Sequence, residues 1–353
     1  MAARMGEFYD SLSRWERAST QNVALKYGRT VYGYNKRLLS AKAASTSPYY
    51  VGLSSEMGSF THVTQRVVLV ADTLLLSDHG VGEVYELGQE RVEDRISTYY
   101  QGSEPLFVGQ TEWRYGMVTK DLAGLGQWLL DAEPLLRRGL AWYGPVFTTG
   151  TAVENRGIGP PYTPPDPLPS FSDLSIDFLV KHGRAVDLSK AKPLASRVVR
   201  PILEIDLPFI NGLSLSDFAK VTSEEFDSYR QYRDFMRSRL LELDDALEAV
   251  DSQVALERVA LSIRDELNAA AAAMSTAARS RALTRAGAVL GTTSAVLAAV
   301  RPEALHGALG LTATTAAGAA GLWPTIQAFA DIKSKRTRGK WHYVWVLQKK
   351  TAR

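Results

Sequence analysis

The chain has no cysteine. That absence excludes disulfides, thiolate metal sites and cysteine nucleophiles, and leaves the redox compartment unmarked. Between Leu213 and Ala286 there is neither glycine nor proline, so nothing in that stretch is built to turn and long helices are expected. The first residues, Met1 to Asp10, hold no apolar run of signal-peptide length, and the expected location is cytoplasmic or on the inner face of a membrane. Lysine and arginine nearly balance aspartate and glutamate, 41 against 38, and a net charge this small points to no nucleic-acid partner by itself.

The basic residues are unevenly placed. Lys333, Lys335, Arg336, Arg338, Lys340, Lys349, Lys350 and Arg353 lie together in a tail of residues 331–353, in which Asp331 is the one acid. Ahead of the tail lie two segments without any charge, Ala286–Val300 and Gly307–Ala330, joined by Arg301–His306. They are rich in alanine, glycine and threonine, and Gly287, Gly291, Gly307, Gly310, Gly318 and Gly321 would let two helices approach closely. A helical hairpin over 286–330 is the expectation. Arg279, Arg281 and Arg285 before it and the basic tail after it give both ends positive charge, and Trp323 could sit at an interface. The first segment is short for a membrane span, which needs roughly 20 apolar residues. A buried hairpin closing a helical bundle and a hairpin engaging a membrane therefore stand side by side.

At 353 residues the chain has room for more than one domain. The strongest boundary is 151–170, where Pro160, Pro161, Pro164, Pro165, Pro167 and Pro169 follow Gly150, Gly157 and Gly159. The organisation read from this is an α+β or α/β amino-terminal domain (1–150), a Pro/Gly-rich linker, and a predominantly helical carboxy-terminal domain (171–353). That second domain would hold long helices over 222–285, the hairpin, and a short strand at Trp341–Leu347 within the tail.

Periodicity supplies the elements. Phe8, Leu12 and Trp15 share a helical face over Ala3–Arg17. Lys26–Arg37 mixes three tyrosines with four cations, a surface or edge strand that could also stack and neutralise single-stranded nucleic acid. Ser40–Ser59 reads as a loop, and Arg66–Leu76 as a strand buried on both faces. Asp121–Arg138 reads as a helix with Thr119 or Asp121 available to cap it, interrupted by Pro134 and closed by Gly139; the glycines at 124 and 126 fall inside it and are no nucleotide fingerprint. Leu140–Phe147 reads as a strand, Leu174–Lys181 as a helix, and Arg200–Ile210 as a half-buried strand. Ser214–Lys220 reads as a short helix. Thr222–Glu225 then matches a capping box, opening a seam of Phe226, Tyr229, Met236, Leu240, Leu243 and Leu247 in which Arg233 must be wet or paired. Asp251-Ser252 is the expected break.

One constellation could carry chemistry. Asp72, Asp78 and His79 lie at the end of the buried run, and two carboxylates beside an imidazole could activate water, as in a hydrolase. Their spacing matches no metal or triad signature, so no cofactor and no resident metal is expected. The leading expectation is a non-enzymatic interaction or effector protein with a protein partner, self-association or a membrane engaged by the hairpin. The hydrolase and nucleic-acid binding through the basic tail are the alternatives.

Overall fold

The computed structural model describes residues 1–78, 82–92, 110–154, 166–167, 176–188, 192–204, 207, 209–249, 251, 254, 258 and 340–351. It has mixed α and β content, with sheets formed largely by the amino-terminal half and helices following.

The chain begins with four helices. α1 (Ala2–Asp10) buries Met5, Phe8 and Tyr9, and is separated from the single turn α2 (Arg14–Arg17) by Ser13, which caps it reciprocally with Glu16. This cap divides the helix expected over Ala3–Arg17 and turns Trp15 outward, 73% exposed. α3 (Thr20–Tyr32) and α4 (Asn35–Ala43) follow. The aromatic and basic stretch is thus helical, because Val23, Tyr27 and Val31 recur every four residues and are fully buried. Tyr27 donates its hydroxyl proton to the carbonyl of Tyr143 (2.7 Å) and accepts from that residue's amide (3.1 Å). That ring is committed to the core and cannot stack on a base.

The main sheet holds β1 (Tyr50–Ser55), β2 (Thr73–Asp78), β5 (Ala141–Tyr143), β8 (Phe178–Lys181) and β9 (Arg184–Asp187) in the order β5-β2-β1-β8-β9. The first four are parallel and β9 is antiparallel. Counted along the chain the order is 3-2-1-4-5, that of a doubly wound sheet. α5 (Phe60–Val67) crosses from β1 to β2. Side chains alternate across the sheet as the pleat requires: Tyr143 meets the rings of Tyr27 and Phe60, whereas its neighbour Trp142 donates Nε1–H to the Tyr50 hydroxyl at 2.9 Å. β1 occupies part of what reads as loop in the sequence. The run 66–76 is divided among the end of α5, a turn at Val68–Val70 and the start of β2. Val67, Val68, Leu69 and Val70 are all buried, and burial on every side removes the periodicity that separates helix from strand.

A second, antiparallel sheet runs β3 (Glu83–Val92), β4 (Gln110–Thr119), β6 (Val146–Glu154), β7 (Asp166–Pro167). The strand expected at Leu106–Val108 lies outside the described residues. Between the sheets' strands, α6 (Leu122–Asp131) is capped by Asp121, whose carboxylate accepts from Gly124 N at 2.8 Å. Pro134 sits in the first turn of α7 (Glu133–Arg137), where no amide is needed, and Gly139 ends it at φ +72°. At Gly126 a Cβ would stand 1.8 Å from the Thr20 carbonyl oxygen, so this glycine permits α6 to cross the start of α3.

Beyond the proline-rich stretch the chain returns to the main sheet: Leu53 pairs with Phe178 and Ser54 with Leu179. The helix expected at Leu174–Lys181 is therefore β8, joined to β9 by a two-residue turn with both residues at positive φ, His182 (51°) and Gly183 (78°). The strand expected at Arg200–Ile210 is instead the end of α8 (Pro193–Glu204) and a turn. The buried positions Ala195, Val198, Val199, Ile202 and Leu203 have helical spacing that a window opened at Arg200 misses. α9 (Leu215–Glu224) begins at the Ser214 cap, and α10 (Phe226–Glu248) follows after a break at Glu225. The capping box at Thr222 does not form. Thr222 is inside α9 with its hydroxyl on the Phe218 carbonyl, and Ser223 accepts from Arg138. The last described element, α11 (Lys340–Thr351), is a helix and not the short strand expected there. Tyr343, Val344 and Leu347 share one helical face and are buried, and neither sheet has a strand from this segment.

Candidate functional site

α10 is fastened to the body through the loop that precedes β2. Tyr229 donates to the carbonyl of Val68 at 2.8 Å, and Arg237 donates Nε–H to that of Val70 at 2.6 Å. The same arginine reaches Asp72 Oδ1 at 2.8 Å, and Arg233 approaches that oxygen at 3.1 Å. Ser47 donates to the other carboxylate oxygen at 2.6 Å, and the Arg237 guanidinium lies 4.0 Å over the Tyr49 ring. Arg233, which interrupts the apolar seam, is thus paired. Burial opposes ionisation of Asp72, but the hydrogen bonds from Ser47 and Arg237 and the charges of both arginines outweigh it and hold the carboxyl below its usual range. Burial pushes the Tyr229 phenol up to about 12 and keeps it a donor.

Two of the acids singled out from sequence are placed by the structure. Asp72 precedes β2 and Asp78 ends it, so a strand of this length separates them by roughly 20 Å. They do not meet in one site. Asp78 is buried and accepts from Lys120 N at 3.1 Å and Thr119 Oγ1 at 3.4 Å, tying β2 to the end of β4. His79 lies outside the described residues. Asp72 works as the anchor of two guanidinium groups.

α11 is fastened from the opposite direction. Lys340 Nζ stands 4.0 Å over the ring of Phe235. Three residues on, Tyr343 packs against Tyr229 and Tyr232 and shares a hydrogen bond with Thr222 at 2.8 Å. His342 faces Glu225 at 3.3 Å, Lys350 pairs with Asp217 at 3.3 Å, and Thr351 donates to the Phe209 carbonyl. As α11 advances its partners retreat along α10 and into α9, so α11 and α10 are antiparallel. Two cations of the basic tail, Lys340 and Lys350, are engaged with the body. Lys333, Lys335, Arg336 and Arg338 lie outside the described residues, as do Gly287, Gly291, Gly307, Gly310, Gly318, Gly321 and Trp323.

The arrangement fixes both ends of the segment 249–339. α10 ends at Glu248, and α11 begins at Lys340 beside Phe235. α10 continues 13 residues past Phe235, so exit and re-entry stand roughly 20 Å apart on the same helix. The break expected at Asp251-Ser252 falls just beyond the end of α10. Sequence reading did not find the clamp, because Asp72 and Arg237, or Thr222 and Tyr343, are linked only by the fold. The one local signal was an arginine set into an apolar seam. Among the described residues no helix is long and apolar enough to cross a membrane. Compared with protein-family models, with curated proteins and with solved structures, the chain matches none.

Proposed function

We propose that the chain is a non-enzymatic effector whose α/β body presents the excursion 249–339 to a membrane, with the uncharged segments 286–300 and 307–330 as the part that enters the lipid. The observation that carries this reading is the antiparallel clamp of α10 and α11. Because one body holds both ends of the excursion, any insertion must go in and come back, which requires an even number of apolar passes. The sequence supplies two. Their outer flanks, Arg279, Arg281 and Arg285 on one side and Lys333 to Arg338 on the other, then fall on the body's side of the lipid, as the bias of positive charge toward the cytoplasmic face requires. The first segment is short for a full span, and the two segments together suit a shallow hairpin that enters and leaves by the same face.

The test replaces residues 286–330 with a Gly/Ser linker of about 20 residues, which together with the retained 249–285 and 331–339 leaves ample chain to span the clamp. Full-length protein should sediment with vesicles of phosphatidylcholine and phosphatidylglycerol, and the linker variant should stay in the supernatant while melting at the same temperature. Equal behaviour of the two proteins, in either fraction, would sink the proposal.

A further inference from the structure

Exposed apolar side chains gather where α10 ends. Val186 and Leu188 at β9, Leu194 in the first turn of α8 and Val254, six residues beyond α10, are each between 41% and 55% exposed. Val186 and Leu188 are two residues apart and stand on one face of the main sheet. Leu188 donates its amide to the Asp177 carbonyl at 2.9 Å, which carries the β8–β9 pairing one residue further and puts the Asp177 side chain on that same face. Asp177 Oδ2 is 3.9 Å from Lys192 Nζ, which donates to the carbonyl of Tyr50 at the start of β1. Leu194 follows two residues later. The patch therefore turns from β9 onto α8 at the end of the sheet where β1 and β8 begin.

α10 leaves the body at the same end. Leu194 and Arg197 are three residues apart and neighbours on one side of α8. Arg197 donates to Asp244 Oδ2 at 2.5 Å and to the Leu241 carbonyl at 3.0 Å, and pairs with Asp245. These partners belong to the last two turns of α10, which stops at Glu248. The other exposed large apolar side chains among the described residues, Trp15 on α2 and Val84 on β3, lie elsewhere.

We propose that this patch is the surface on which the body meets the lipid, with Leu188 and Leu194 seated in the headgroup layer beside the start of the segment 249–339. The inference rests on the membrane reading above. Two observations select lipid as the occupant. The patch adjoins the point where that segment begins, so a body held to lipid by residues 286–330 brings this edge toward the surface. Its rim carries exposed charges of both signs, Arg200 on α8 and Asp245 and Glu248 on α10, which complement the phosphate and the ammonium of a zwitterionic headgroup. Shallow seating of a few aliphatic side chains is how a folded surface rests on a bilayer without crossing it.

Because the chain has no cysteine, Leu188→Cys, Leu194→Cys, Val84→Cys and Trp15→Cys in full-length protein each accept a single nitrobenzoxadiazole label. On addition of phosphatidylcholine and phosphatidylglycerol vesicles, emission from positions 188 and 194 should brighten and shift to the blue, while positions 84 and 15 stay unchanged. Leu188→Asp combined with Leu194→Asp should weaken vesicle binding about tenfold in protein that melts normally, since both side chains are already half-exposed. Sedimentation with vesicles while positions 188 and 194 stay silent would overturn this inference and leave the membrane reading standing. Failure to sediment at all would end both. An equal response at all four positions would mean general adsorption, and a blue shift that grows with protein concentration without vesicles would assign the patch to a second copy; either result overturns the proposal.

Discussion

Arg237 joins two levels of the fold through one side chain: its Nε–H goes to the backbone of Val70, and its Nη2 goes to the carboxylate of Asp72 at 2.8 Å. The strand that follows Asp72 lies inside the sheet, between β5 and β1, and the helix that carries Arg237 ends where the segment 249–339 begins. Their bond connects the two directly, beside those of Tyr229 to Val68 and Arg233 to Asp72.

Removing the acid should loosen that connection. Asp72→Asn keeps the shape but leaves Arg233 and Arg237 without their shared charge, and the expected loss is about 1–2 kcal/mol for a half-buried pair. The sign with pH follows from the depressed carboxyl. Stability from the pair is present above the ordinary value of 3.8 and is lost as pH falls through the folded-state value. Urea unfolding of the wild type between about pH 6 and pH 3 should show this acid limb, and Asp72→Asn should flatten it.

Tyr343 offers a sharper probe of α11. Tyr343→Phe deletes the hydrogen bond to Thr222 while keeping the ring, at an expected cost of about 1 kcal/mol, because Thr222 retains the Phe218 carbonyl. Tyr343→Ala empties a fully buried site and should cost about 3–5 kcal/mol. Thermal melts that show no difference between Tyr343→Ala and the wild type would mean that α11 is not part of the core.

Gly126 should tolerate nothing larger. Its α-hydrogen faces backbone atoms of Thr20, which cannot swing aside as a side chain can. Gly126→Ala should therefore lose about 2–3 kcal/mol or more, although alanine is the better helix former. Gly33→Ala, with open space around it, is the control and should be nearly neutral in chemical denaturation.

Asp177→Asn removes the negative charge that pairs with the buried Lys42 at 2.9 Å. Stranding a buried lysine costs about 3–5 kcal/mol. The variant should be rescued in part by Lys42→Met, which removes the stranded charge, and a double-mutant cycle measured by urea unfolding should return strong coupling between the two positions.

The parts of this architecture that were readable from sequence are those with local causes. Asp121 and Gly139 mark α6 and α7 because a cap and a positive φ leave a residue-type signature, whereas of the strand read over 66–76 only Thr73–Leu76 belongs to β2. The misreadings have different causes. Around Val67–Val70 side chains are enclosed by elements distant in the chain, so apolar residues fill every position and carry no period; at Ile202–Leu203 the helical period exists but begins upstream, at Ala195. Trp341–Leu347 looked like a strand because its aromatic and β-branched residues favour one, yet packing against α10 decides the matter. The clamp was invisible for the same reason: Ser47, Asp72 and Arg237 are joined by topology alone. Arg233 was the exception, since a charge in an apolar stripe demands a partner wherever that partner lies.

The burial of α11 also imposes an order in time. Its tyrosine plugs the groove between α9 and α10, but it is synthesised after residues 286–330. The uncharged segments therefore leave the ribosome while the body that will clamp them still lacks a piece of its core. During that interval they are the longest uncharged stretch of an incompletely packed chain, and whatever first covers them, lipid or chaperone or the protein's own helices, has its opportunity before the clamp can close.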